Sequence, residues 1–265
     1  MNKFYWLFSM GIQKSLTYRV NYVLSMLAAG FPILLQWVFW QAVFDFSQTN
    51  QMYGLTYSEM LTYVTLSALL SQALRTGFEY DIAQDIKNGG LNRFLVQPIS
   101  YAGYRFASFL GNNLTYFICT LILMNISLLL CHLYLGLDLS LSQISLFFPA
   151  VILSLVMQFL LFYLVSMMAF WLQEVWGLFE SVRIISLVLS GGMVPLTVFG
   201  DKAMQWLEFM PFKYIIFFPL QIVIGKLAIA EIMQGMLMQC FWSALLCLVA
   251  MLLWKRGQKQ FLALG

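Results

Sequence analysis

Enzymatic chemistry needs groups that cradle phosphate, hold a metal or move a proton, and this 265-residue chain offers few of them. No GxxxxGK followed by Ser or Thr is present, so the backbone nest that grips nucleotide phosphates is missing and ATP hydrolysis is not expected in this chain. There is no HExxH and only one histidine, His132. A histidine metal site or a Ser–His pair therefore has almost no material to work with. Cys119, Cys131, Cys240 and Cys247 all sit inside apolar runs without CxxC or metal-ligand spacing, which reads as packing or lipid contact.

Charges within an apolar segment would mark an ion or proton path, since burying one in hydrocarbon is expensive unless it has a task. Here they gather at segment ends. Glu59, Arg75 and Glu79 flank one run, and Glu180 and Arg183 begin another. Arg75 with Glu79 (i, i+4) and Glu180 with Arg183 (i, i+3) are spaced to pair on one helix face. His132 lies near the end of a run, where an imidazole reaches water. An ion-coupled carrier would lack its usual equipment, so the energy for any transport has to come from elsewhere.

The elements that must position these residues follow from composition. The chain is 62% apolar and 9% charged, against about 45–50% and 25% for a soluble domain. Its mean hydropathy is +0.82. Lipid is the solvent that tolerates such surface, and about 20 apolar residues cross it as a helix. Six spans are predicted, over Tyr22–Phe44, Tyr57–Phe78, Tyr104–Leu135, Ile144–Leu172, Trp176–Phe199 and Ile232–Trp254. They use nearly all of residues 1–265, so the expected fold class is an all-α polytopic membrane protein forming one domain. The start lacks a small-residue cleavage site, so the first span should stay in the mature chain.

Basic residues favour the cytoplasmic side. Lys3, Lys14, Arg19, Arg75, Lys87, Arg93, Arg105, Arg183, Lys255, Arg256 and Lys259 fall on one side, and only Lys202, Lys213 and Lys226 on the other. The expectation is a multi-pass protein of the bacterial inner membrane with both termini cytoplasmic. The net charge of +3 gives no reason to expect a nucleic-acid partner.

Three segments outside the spans are informative. In residues 1–21, Phe4, Leu7, Phe8, Gly11, Ile12 and Leu16 share one helical arc, and Lys3, Ser9, Gln13, Lys14 and Thr17 the other. This fits a helix lying in the headgroup layer, or an unstructured tail with accidental periodicity. In the loop over residues 79–105, Ile82 and Ile86 predict a helix that Gly89-Gly90 ends, followed by a short amphipathic turn over 91–96 stopped by Pro98. That turn carries Phe94 and Leu95 as an apolar knob beside Arg93, suited to a cytoplasmic partner or to resting on the membrane. In residues 190–226, Gly191, Gly192, Pro195, Gly200, Pro211, Pro219 and Gly225 interrupt apolar text. Broken helix at membrane depth is tolerated only where protein or a water-filled cavity satisfies the backbone. A re-entrant hairpin on the outer side is the primary reading, an exposed loop with interfacial helices the alternative.

At these loops the sequence resembles the permease subunits of type 2 ABC exporters, in the branch with two different permeases and one ATPase. The resemblance rests on the amphipathic start with TYRVNYVLSML and LLQWVFWQAVF, then NGGLNRFLVQPIS, then SGGMVPL with MPFKYIIFFPLQIVIG, and the tail ending FLALG. It spans most of the chain. Relatives often have Phe-Pro where this chain has Phe199-Gly200.

The resemblance implies six spans, an interfacial connecting helix, and a cytoplasmic coupling helix that places Asn92, Arg93, Phe94 and Leu95 in the groove of a separate ATPase. It also implies an outer hairpin, broken at Gly191, Gly192, Pro195, Pro211 and Pro219, that closes the path. Partners would be two copies of a cytoplasmic ABC ATPase, a second permease, homologous or identical, and membrane lipids. ATP and Mg would belong to the ATPase, with no cofactor in this chain. With 24 Phe and 16 Met, the path would suit an amphipathic or hydrophobic substrate such as a lipid, peptide or drug-like molecule. An ion-coupled carrier and a non-transporting assembly subunit stand as rival readings, since a permease and a scaffold bury their spans alike.

Overall fold

The computed structural model describes residues 19–95, 100–136 and 140–264. The expected interfacial helix falls, up to residue 18, outside them. The elements run α1 (Arg19–Ser47), β1 (Gln51–Met52), β2 (Leu55–Thr56), α2 (Tyr57–Ala73), α3 (Phe78–Lys87), α4 (Asn92–Leu95), α5 (Tyr101–Leu135) and α6 (Leu141–Ser166). After a 3₁₀ turn over Met167–Phe170 come α7 (Trp176–Leu189), α8 (Asp201–Glu208), α9 (Phe217–Val223) and α10 (Ile229–Leu264), with 3₁₀ turns at Leu196–Phe199 and Phe212–Tyr214.

Among the described residues three helical stretches are long and apolar enough to cross a membrane: Tyr116–Leu135, Ser142–Phe170 and Ile229–Phe261. A fourth candidate is the pair Asp201–Glu208 and Phe212–Val223, bent by 89°. The expected third, fourth and sixth spans thus correspond to α5, α6 and α10. The expected second and fifth are shorter than sequence alone implies. Counting apolar residues ignores where the backbone turns. α2 stops at Ala73, before the non-helical Arg75–Gly77, and α7 is only 14 residues long because Gly191 follows with φ +80°.

α6 is the axis of the packing. Its partners include α10, α9, α3 and α7, while α1 lies on α2 and α2 on α5. Two apolar clusters result. One holds Tyr63, Leu70, Phe147, Met157, Phe217 and Ile222; the other holds Phe78, Ile82, Phe109, Phe159, Phe162 and Phe179 near the loop over 79–105. We call the end carrying that loop and Lys255, Arg256 and Lys259 the basic end, and the other the far end.

At the far end the chain returns from α1 to α2 through a two-residue hairpin turn. Tyr53 (φ 54°) and Gly54 (φ 79°) both adopt the left-handed backbone that matches strand twist in such turns. Thr56 then caps α2 reciprocally: Glu59 N donates to Thr56 Oγ1 at 3.4 Å, and Thr56 N donates to Glu59 Oε2 at 2.8 Å. The same carboxylate pairs with Lys226 at 2.8 Å, tying the start of α2 to the segment before α10.

Candidate functional site

At the basic end, α3 buries Phe78, Ile82, Ala83 and Ile86 against α6 and the Met167–Phe170 turn. Gly89 (φ +73°) ends the helix as the sequence predicts. The chain then folds back, with Leu91 N donating to Asp85 O at 2.9 Å, and α4 begins. Asp85, 8% exposed, is the hub of this fold-back. It accepts hydrogen bonds from Tyr101 Oη (2.8 Å), Arg105 and Arg93 (3.4 Å), while Arg105 also donates to Tyr101 Oη (3.0 Å) and to Asp81. One carboxylate thus joins α3, α4 and α5. Tyr101 in turn stacks on Trp254 of α10 (ring centroids 5.1 Å apart, planes 8° apart).

The four residues singled out in α4 do not share one environment. Asn92 and Arg93 are exposed, with the Arg93 side chain 63% accessible. Phe94 is 9% exposed and turns inward, edge-on to Tyr101 at 5.0 Å and tilted against Tyr104 at 4.7 Å. It is an anchor, not the outward knob expected, because the rings of α5 offer it more apolar contact than water does. Leu95 closes α4. Beside α4 lies a groove of about 800 Å³ lined by Lys87, Gly89, Asn92, Trp171, Gln173 and Phe261.

The expected Arg75–Glu79 pair does not form. The helix is interrupted between the two, Arg75 is exposed, and Glu79 is fully buried. Glu79 instead receives Arg183 of α7 at 2.6 Å and the Thr76 hydroxyl at 3.3 Å, while Arg183 Nη1 donates to Thr76 O at 3.1 Å. Burial pushes the Glu79 carboxyl above the ordinary carboxylate range, and the Arg183 guanidinium pulls against that shift. The expected Glu180–Arg183 pair is present at 3.5 Å. The loop at the basic end is therefore fastened to α5 by Asp85, to α6 by apolar contact and to α7 by Glu79.

The second site is the break after α7. Gly191 turns the chain where an added Cβ would lie 2.5 Å from Tyr63 Oη, so both its φ and its close approach require glycine. Gly192 follows against Ser71 and Leu187. Pro195 opens the Leu196–Phe199 turn, Pro211 opens the Phe212–Tyr214 turn, and Pro219 sits in the first turn of α9, where its missing N–H is harmless. Other elements satisfy the carbonyls this freed backbone exposes. Tyr63 donates to Gly191 O (2.7 Å), Gln36 to Met193 O (2.8 Å), Ser154 to Tyr214 O (3.2 Å) and Gln239 to Tyr214 O (2.9 Å). Sequence reasoning missed these four; their signal was a lone polar residue inside an apolar helix.

Among the described residues no group of His, Cys, Asp or Glu could hold a metal ion. Asp85, Glu79, Arg105 and Arg183 at the basic end, and Gln36, Tyr63, Ser154 and Gln239 at the break, hold backbone and helices together.

The family model described as "ABC-2 family transporter protein" matches residues 31–265. No curated protein and no solved structure matches the chain.

Replacing Glu79 by Leu leaves a guanidinium without its buried partner and should lower stability by about 3–5 kcal/mol; Glu79→Leu with Arg183→Met should recover most of that loss in a double-mutant cycle of detergent thermal unfolding. Tyr63→Phe strands the Gly191 carbonyl and should lower stability by about 1–3 kcal/mol in the same assay.

Proposed function

This chain belongs to the ABC-2 family of transporter proteins, and we propose that it is the membrane-spanning permease subunit of an ATP-driven exporter whose ATPase is a separate cytoplasmic subunit. In this reading residues 1–265 form one permease domain in the bacterial inner membrane, with α1, α2, α5, α6, α7 and α10 as its six spans and both termini in the cytoplasm. The basic end then faces the ATPase, in keeping with the cytoplasmic preference of Lys and Arg.

Two ATPase copies and a second permease complete the transporter, and ATP and Mg are bound by the ATPases. Closure of the ATPases pushes on Asn92 and Arg93. The push passes through Asp85 to α5 and through Glu79 to α7, and the paired permeases alternate between inward- and outward-open states. The bent segment around Pro211 and Pro219 acts as a re-entrant hairpin that closes the outer side. The cargo is an amphipathic or hydrophobic molecule.

The observation that carries the reading is the wiring of the short exposed helix α4. Arg93 touches water on one side and Asp85 at 3.4 Å on the other, and Asp85 is bonded to the first turns of α5. A load applied at α4 therefore reaches a long apolar helix through side-chain contacts.

Co-expression with the cognate ATPase tests it. Arg93→Ala combined with Asn92→Ala should weaken ATPase co-purification about tenfold, equivalent to about 1.4 kcal/mol, and should lower transporter-stimulated turnover, with the permease still folded by size-exclusion chromatography. Unchanged recruitment and unchanged turnover in that variant would overturn the coupling role of α4.

A further inference from the structure

A cavity of about 240 Å³ lies between α2, α6 and α7, at the level where the two apolar clusters meet. Its apolar wall comes from both clusters, through Leu74, Ile215 and Ile216 of one and Phe162 of the other. The lining also carries many polar side chains for a chain that is mostly oil, among them Ser71, Gln72, Gln158, Arg183, Ser186 and Ser190. Ser71 Oγ and Gln158 Oε1 are buried there without a hydrogen-bond partner, and Arg183 Nε makes no hydrogen bond, only its 3.5 Å approach to Glu180. An unsatisfied buried polar group is destabilising by about 1–3 kcal/mol. Ser71 Oγ and Gln158 Oε1 both border this one cavity, so it offers unmade hydrogen bonds to a polar occupant.

The charges define that occupant further. Arg183 is paired with Glu79 at 2.6 Å and with Glu180 at 3.5 Å, whereas Arg75, which lines the same cavity from the exposed break after α2, makes no ion pair among the described residues. The chamber therefore combines one guanidinium free of ion pairs among the described residues, hydroxyl groups and carboxamides, donors suited to an anionic, oxygen-rich group.

The chamber also has a greasy neighbour. A groove of about 550 Å³ shares Ala68, Ser71, Gln72 and Leu187 with it, and its remaining wall includes Pro32, Leu35, Phe39, Val64, Met193 and Val194. Polar chamber and apolar groove thus meet across one face of α2. We propose that they form a single binding site for an amphiphile, with an anionic head held by Arg75, Ser71 and Gln158 and an aliphatic tail lying between α1 and α2. In taking this occupant as cargo the inference rests on the permease reading above, whose cargo class it narrows.

The test is saturable binding to the full chain in phosphatidylcholine nanodiscs, against empty discs, with three probes: hexadecyl phosphate, hexadecanol and inorganic phosphate. Hexadecyl phosphate should bind at least tenfold more tightly than either of the others, because only it fills both compartments, and Arg75→Ala/Gln158→Leu should lower that affinity at least tenfold. Should that double variant fail to fold by fluorescence-detected unfolding, Ser71→Val is read by the same tenfold criterion. Selectivity or loss below tenfold, or binding no greater than in empty discs, overturns the site. No nucleotide or ATPase is present in this measurement, so its failure leaves the coupling role of α4 standing, and failure of the ATPase assay leaves the binding result standing.

Discussion

Hydrocarbon cannot hydrogen-bond, and much of this structure follows from that. The chain breaks after α7 at Gly191 and does not resume a long helix until Ile229. Over this stretch several carbonyls have no partner in their own helix. The partners come from far away in sequence: Gln36 on α1, Tyr63 on α2, Ser154 on α6 and Gln239 on α10. Each of these side chains is itself an expensive residue in an apolar helix, justified by the hydrogen bonds it makes. The break and its four tethers form one unit, and they hold α1, α2, α6 and α10 in a fixed arrangement around the bent segment.

The basic end solves a related problem with charge. Asp85 and Glu79 are both buried carboxylates on α3, and each receives a guanidinium: Arg105 from α5 and Arg183 from α7. Apolar contacts alone slide, since dispersion has little directional preference. Ion pairs with two or three hydrogen bonds do not, so α3 is fixed in register against its neighbours. Phe94 adds to this by inserting between Tyr101 and Tyr104, which leaves Asn92 and Arg93 as the exposed part of α4.

Much of the scaffold was legible in the residues. Continuous apolar runs gave α5, α6 and α10, Gly89 gave the end of α3, and Gly191-Gly192 gave the break after α7, because each depends on local chemistry. The Glu180–Arg183 pair was legible for the same reason, since both partners lie on one uninterrupted helix. Arg75 and Glu79 misled because the i, i+4 rule presumes a helix that Arg75–Gly77 interrupts. Phe94 misled because its direction is set by Tyr101 and Tyr104, across four residues outside the described chain and a change of helix. Which carbonyl each tether of the break serves was beyond sequence reasoning; Gln36 and Met193 stand 157 positions apart, and Tyr63 and Gly191 stand 128 apart.

α2 is short, and both of its ends are staked. Glu59 holds the far end to Lys226, and Thr76, just past the other end, is gripped by Glu79 and Arg183. A rod held this way behaves as a beam: it cannot slide along its own axis, so displacement of either stake must appear as tilt. Ser71 and Gln72 sit in its last turn, next to the Thr76 stake, and line both cavities, so the wall the two cavities share is set by that end of the beam.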